Sequence, residues 1–280
     1  VRRFVAGPTA ADAFEVIARL NTAGADALVT YLGENVTTTD EATRAAAAYR
    51  DLLDEIARRG LRAVPSLKLT HLGLDLGEPV CRANLETVAA RGLATGTLVW
   101  IDMESSAYVE RTLDLYERAR GRYSNLACVV QAYLRRTAQD VERLIERGAT
   151  VRLCKGAYRE PPVVAFPDKR EVDASYARLT ERLLAADAQA HGVYPGFATH
   201  DERLLRHAQE TARGRGVAPD RFELQMLYGI RHDLHAPLRA TGHRLRVLVP
   251  YGEDWYGYFM RRLAERPANL VFFVRHLVRP

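Results

Sequence analysis

The segment Tyr251-Gly-Glu-Asp-Trp-Tyr-Gly-Tyr-Phe-Met-Arg-Arg-Leu-Ala-Glu-Arg-Pro-Ala-Asn269 is well equipped to hold a small anion. Gly252 breaks an apolar run, Asp254 is a candidate N-cap and Pro267 ends the pattern, so the spacing predicts a turn feeding a helix. At about 100° per residue, Trp255, Tyr258, Arg262 and Glu265 share one face, with Arg261 on its shoulder. Two arginines beside a tyrosine and a tryptophan form a cationic, partly apolar clamp. Guanidinium forks grip carboxylates bidentately, so the fitting ligand is a small carboxylate with an apolar body. The plainer reading of an Arg-Arg pair is a solvated helix face.

Further polar residues close short apolar runs: Glu34, Lys68 and Thr70, Asp102 and Glu104, Gln131, Arg152 with Lys155 and Tyr158, Thr199 and His200, and Gln225 with Tyr228. Lys68 alternates with Leu67 and Leu69, and a lysine in an apolar strand needs a partner. A structural ion pair with Asp102 is one explanation. Lys155 lies near a strand end, where its stem can snorkel. His200 read alone is a hydrogen-bonded structural histidine before it is a catalyst. His232-Asp-Leu-His235 has a loose metal-like spacing but no cysteine or arranged carboxylate beside it, so no metal is assigned. The His-Glu-x-x-His and Gly-x-Ser-x-Gly patterns do not occur, which removes the main support for a zinc peptidase or a serine hydrolase.

The elements that must position these residues are legible as runs. Strands are predicted over 27–32, 61–69, 97–102, 126–131, 150–155, 196–200, 222–227 and 245–249, several of them apolar throughout, as strands covered on both faces are. Helical patterns lie between them over 40–59, 84–91, 107–120, 138–147, 172–191 and 201–214, many ending on Arg before Gly. An extra helix over 9–21 precedes the first strand and could plug the barrel's bottom. This alternation, without a composition break, predicts one α/β domain over 1–280, a (β/α)8 TIM-type barrel, whose active site lies at the C-terminal strand ends. A doubly wound open sheet is the competitor; the absence of Gly-x-Gly-x-x-Gly after the first strand removes its usual dinucleotide turn.

The 280 residues carry a net charge of +5, with arginines spread along the chain, which argues against nucleic acid as a partner. A basic surface suits anionic metabolites and allows transient contact with anionic lipid. No apolar run approaches the ~20 residues of a membrane span, and the first eight residues do not read as a signal peptide. Cys81, Cys128 and Cys154 match no metal spacing, and reduced thiols in a cytoplasmic protein are the default expectation. Phe272–Pro280 reads as part of a further apolar helix.

From Tyr31-Leu-Gly-Glu34 to Asn269 the chain resembles the proline dehydrogenases. The motifs that carry the resemblance are Ser66-Leu-Lys-Leu-Thr70, Trp100-Ile-Asp-Met-Glu104, Gln131-Ala-Tyr133, Val151-Arg-Leu-Cys-Lys-Gly-Ala-Tyr158, Phe197-Ala-Thr-His200, Gln225-Met-Leu-Tyr-Gly229 and the terminal Arg-Arg helix. Each is weak alone; seven in order on seven strands make a strong match. The resemblance implies a distorted barrel that holds FAD non-covalently, oxidises L-proline to Δ1-pyrroline-5-carboxylate and passes electrons to a quinone. On the family pattern Lys68, Arg261 and Arg262 would bind the substrate carboxylate, with Tyr258 beside them. Met103, Gln131, Lys155, Gly156, Ala157, Thr199 and His200 would contact the flavin, and Asp102 and Arg152 hold the positions usually given as catalytic. Asp102 is a candidate base for the substrate amine or a holder of Lys68. Glu34 resembles the glutamate that pairs with a helix arginine and lids the pocket.

One position departs from the family pattern. Members commonly carry tyrosine where this chain has Leu248, which keeps an apolar wall against the substrate ring but loses a hydroxyl and bulk. That bears on proline against 4-hydroxyproline. Two rival readings are a Schiff-base lyase using Lys68 or Lys155, and a barrel that binds without catalysis.

Overall fold

The computed structural model describes residues 3–264, with side chains through Arg261. Eight parallel strands close into a barrel in sequence order: β1 (Asp26–Tyr31), β2 (Ala63–Leu67), β3 (Val99–Ile101), β4 (Leu126–Gln131), β5 (Thr150–Cys154), β6 (Tyr194–Ala198), β7 (Glu223–Leu227) and β8 (Arg244–Tyr251). Closure is made by β1 against β8, with Asp26 opposite Arg246 and Tyr31 opposite Tyr251. All of β4 and all but the first residue of β8 are buried, which explains their near-continuous apolar sequence.

The helices are α1 (Ala10–Thr22), α2 (Thr39–Arg59), α3 (Glu78–Ala94), α4 (Val109–Arg120), α5 (Thr137–Glu146), α6 (Lys169–Leu183), α7 (Ala186–Ala190), α8 (Glu202–Gly214), α9 (His235–Ala240) and α10 (Trp255–Ala264). Helix α2 shows how local sequence sets them. Thr38 and Glu41 form a capping box at its start, Ala42, Ala45, Tyr49, Leu52, Leu53 and Ile56 bury one stripe, and Gly60 ends it in the left-handed conformation. Helix α3 is much longer than its apolar pattern suggests, because it opens on Glu78-Pro79. The predicted helix over 172–191 is two helices, α6 and α7.

Helix α1 does not plug the bottom of the barrel. It packs on β1 and β8, with Phe14 under the Arg59 guanidinium of α2 at 4.7 Å, and Gly24 behind it borders Arg239 of α9. It therefore takes the place in the outer ring between α9 and α2. The helix that follows β8, α10, lies instead over the strand ends, where Arg261 meets Glu34. At the opposite, N-terminal end of the strands, Arg246 donates to both oxygens of the fully buried Glu223 at 2.9 and 3.0 Å. Burial works against that carboxylate, but Arg246 holds it below the usual carboxylate range. Pro267, Glu265 and the predicted helix over 272–280 lie outside the described residues.

Candidate active site

Strand β2 stops at Leu67, so Lys68 and Thr70 sit on the turn above it rather than within the strand. From there Lys68 reaches a cavity of about 460 Å³ at the C-terminal ends of the strands, in the size range of small-ligand sites. The cavity is also lined by Asp102, Met103, Gln131, Arg152, Lys155, Gly156, Ala157, Thr199, His200, Leu248, Tyr258 and Arg261. Glu34 is on its rim and also lines a smaller neighbouring cavity with Lys68, Tyr258 and Arg261. The side chain of Arg262 lies outside the described residues.

At the rim Arg261 donates to Glu34 through two bonds, 2.9 and 3.3 Å, and its guanidinium lies 5.6 Å from the Tyr158 ring. Lys68, 9% exposed, has its Nζ 3.9 Å from Glu34 Oε2, the oxygen that also takes the longer Arg261 bond. Burial opposes the Glu34 charge, but the Arg261 bonds and Lys68 together hold its carboxyl below the usual range. One carboxylate thus bridges two cations at the mouth. Trp255 is not part of this clamp. Its ring meets Phe259 edge-on at 6.0 Å, and Phe259 in turn lies 6.1 Å from Phe4. The helix turns Tyr258, rather than Trp255, toward the cavity.

Deeper in, Arg152 is 6% exposed and held on three sides. Its Nη1 donates to Asp102 Oδ1 at 2.8 Å, both Nη atoms reach Ser66 Oγ at 3.3 Å, and its guanidinium lies 4.7 Å from the Trp100 ring. Ser66 Oγ also donates to Asp102 Oδ1 at 2.7 Å. The partner of Asp102 is therefore Arg152, not Lys68. Lys68 follows β2, next to β3, whereas Arg152 lies within β5, two strands away, so only the closed barrel decides between them.

Lys155 donates to Asp173 at 2.5 Å and to Asp201 at 3.2 Å, carboxylates from the start of α6 and the cap of α8. Burial works against Asp201, yet Arg203 and Lys155 hold its carboxyl down at about 2. Lys155 and Lys68 are thus both ion-paired, unlike the desolvated amine a Schiff-base enzyme needs. His200 Nε2 accepts the Leu227 backbone N–H at 2.9 Å, which puts the proton of a neutral imidazole on Nδ1. Among the described residues no group of three or more His, Cys, Asp and Glu could hold a metal ion.

Buried polar atoms of lining residues that lack a hydrogen-bond partner among the described residues include Gln131 Oε1, Gln225 Oε1 and Arg152 Nε. The Gln131 amide nitrogen donates to Met103 O at 3.2 Å and that of Gln225 to Glu223 Oε1 at 2.5 Å, which fixes both amide orientations. Each unmatched group costs about 1–3 kcal/mol unless a ligand meets it. Acceptors and a donor from β4, β5 and β7 suit a flat heteroaromatic group with N–H and C=O along its edge. Sequence reasoning named Gln225 and Tyr158 as strand-end residues without assigning them a role. It missed the apolar lining of Leu28, Val129, Met226 and Leu227; alternation with Thr30 on β1, Gln131 on β4 and Gln225 on β7 was the available signal for Leu28, Val129 and Leu227.

Gly156 must be glycine. Its φ is +113°, and a Cβ there would overlap the Tyr133 ring. Gly156→Ala is expected to cost about 2 kcal/mol or more, measured as a lower unfolding midpoint, together with poorer retention of a bound cofactor.

The family model described as proline dehydrogenase matches residues 13–275. The chain is 38% identical over 278 residues to Proline dehydrogenase 1 of Bacillus subtilis (strain 168), covering 99% of this chain and 90% of that protein. It is 36% identical over 282 residues to the Proline dehydrogenase of Deinococcus radiodurans, covering 99% and 89%. Among solved structures, proline utilization A (PutA) from Bdellovibrio bacteriovorus, inactivated by N-propargylglycine, matches with a TM-score of 0.85 at 26% identity. That match covers 94% of this chain and 32% of the other, so the chain spans about a third of that longer protein. The chain belongs to the proline dehydrogenase family of oxidoreductases.

Proposed function

We propose that the chain oxidises L-proline to Δ1-pyrroline-5-carboxylate with FAD as hydride acceptor and a quinone as the onward electron acceptor. Family membership implies a flavin in general, and the observation that carries the fuller reading is the paired constellation in one cavity. Lys68 and Arg261 meet at one edge, and unmatched polar groups line its depth. Met103, Gln131, Arg152, Lys155, Gly156, Ala157, Thr199 and His200 would hold the flavin. Bound FAD would supply a two-electron acceptor for the hydride that leaves the ring carbon beside nitrogen.

The chain's own residues do the rest. Lys68 and Arg261, with Arg262 as the further candidate, hold the substrate carboxylate and so aim the opposite end of the ring. Glu34 already bridges both described cations, so it is poised to release them to the substrate and to close over it again. Arg152 supplies a fixed positive charge in the depth of the site, and Asp102 with Ser66 keeps it oriented. Leu248 and Tyr258 form apolar walls for the substrate ring. The substrate ammonium must shed its proton before hydride departs, so turnover rises with pH through that ionisation.

Leu248→Tyr adds bulk and a hydroxyl where a ring substituent would lie. The ratio of kcat/KM for proline over 4-hydroxyproline is expected to rise about tenfold, measured with both substrates on both proteins. The function itself is tested by incubating the FAD-loaded protein with proline and a short-chain quinone and trapping the cyclic imine with an aromatic aminoaldehyde. Imine formed in step with quinol supports the proposal; quinone left unreduced while proline disappears, or no imine at all, overturns it.

A further inference from the structure

Glu104 is a buried acid that none of the roles above uses. It follows Asp102 and Met103 at the end of β3 but does not line the cavity with them. Its carboxyl, 3% exposed, turns to Thr70 on the β2 turn. Oε1 accepts the Thr70 backbone N–H at 3.1 Å, and Oε2 lies 2.6 Å from Thr70 Oγ1. A hydroxyl can donate or accept, so the Oε2 bond survives whether Glu104 is ionised or protonated.

The charges around it belong to the carboxylate clamp. Glu104 lies within electrostatic reach of Lys68 on its own turn, Glu34 above β1, Tyr158 above β5 and Arg261 on α10. On its outer side it faces the Cys81 thiol of α3 and the Tyr108 hydroxyl before α4. Among the described side chains, the cations Lys68 and Arg261 are therefore matched by Glu34 and Glu104 when both acids are ionised. A substrate carboxylate entering this cluster adds a third negative charge. Glu34, its side chain 27% exposed, can swing out toward solvent; Glu104 cannot, because it is enclosed and tied to Thr70. The charge Glu104 can shed is its ionisation.

We propose that Glu104 takes up a proton as a carboxylate enters the clamp formed by Lys68 and Arg261, so that substrate binds with net proton uptake. Burial already pushes its carboxyl upward, against the Thr70 bonds and the charge of Lys68, which places it where a further anion tips the balance. Binding then weakens as pH rises through this ionisation, while the chemical step, which needs the free amine, speeds up. The two trends separate into KM and kcat.

The inference rests on the carboxylate clamp, and its test uses tetrahydrofuran-2-carboxylate, a proline-shaped probe with no titratable amine. Titration calorimetry of the FAD-loaded protein from about pH 5 to pH 8, in buffers of different ionisation enthalpy, measures protons taken up per probe bound. The expected result is uptake that passes through a maximum of roughly half a proton between the midpoints of the free and the bound protein, and affinity falling roughly tenfold toward the alkaline end. Glu104→Gln should abolish the uptake, flatten the pH dependence and bind more tightly than the parent at the alkaline end. Thr70→Val, which removes one donor to the carboxylate, should move the midpoint to higher pH. Probe binding without proton uptake in the parent protein overturns the proposal while leaving the clamp intact, and needs no variant to fold. Proton uptake unchanged in Glu104→Gln overturns it equally. No probe binding, or binding indifferent to Arg261→Met, overturns the clamp and this proposal with it.

Discussion

The Arg261→Met protein is expected to need about 10²–10³-fold more proline to reach half-maximal rate, with a much smaller change in kcat. Arg261 contributes a planar fork at the edge of the cavity and is tied to Glu34 by two bonds. In the proposed complex that fork turns to the substrate carboxylate. Truncating one partner of a partly buried, hydrogen-bonded charge pair costs about 2–5 kcal/mol, and each decade in KM is about 1.4 kcal/mol. Glu34 would then remain beside Lys68 alone, so the surviving cation is also less available. Arg261→Lys should recover only part of the loss, because an ammonium cannot reproduce a two-pronged contact. Steady-state kinetics of the three proteins check this. An unchanged KM in Arg261→Met would remove the clamp from the account.

The second large effect is expected at Arg152. Arg152→Met leaves Asp102 and Ser66 facing each other in the barrel with no cation between them, and takes the guanidinium off the Trp100 ring. Stranding a partly buried charge in this way costs about 2–4 kcal/mol, seen as a lower unfolding midpoint and weak cofactor retention. Adding Asp102→Asn to Arg152→Met should restore much of the stability, because the stranded charge is gone. Activity should stay low in the double variant, because the positive charge deep in the site is gone as well. A double variant with near-parental kcat would reduce Arg152 to a structural ion pair, and the coupling between the two substitutions measures that directly.

The barrel was legible because strands covered on both faces are apolar almost throughout, and β4 and β8 are written that way. The polar residues ending those runs were legible as a site for the same reason: in this architecture strand ends converge. What stayed hidden depends on distances along the chain that only closure resolves. Lys68 and Arg152 are both cations near Asp102 in the order of strands, and the register carried from β3 through β4 to β5 gives the carboxylate to Arg152. Lys155 meets carboxylates from two different helix starts, 18 and 46 residues further on, so no local pattern announces the cluster. Helical phase placed Trp255 in the clamp; packing against Phe259 draws it aside, because the N-terminal segment around Phe4 offers it an apolar neighbour. The extra helix α1 read clearly as a helix, but its place in the outer ring follows from α10 lying over the mouth instead.

The most direct test of the central claim is the visible absorption spectrum of the protein before and after L-proline is added without oxygen. The account predicts a bound-flavin spectrum that proline bleaches, since one experiment then reports cofactor, substrate and direction of electron flow together. A protein that is colourless, and that stays inert toward proline after reconstitution with FAD, would contradict it.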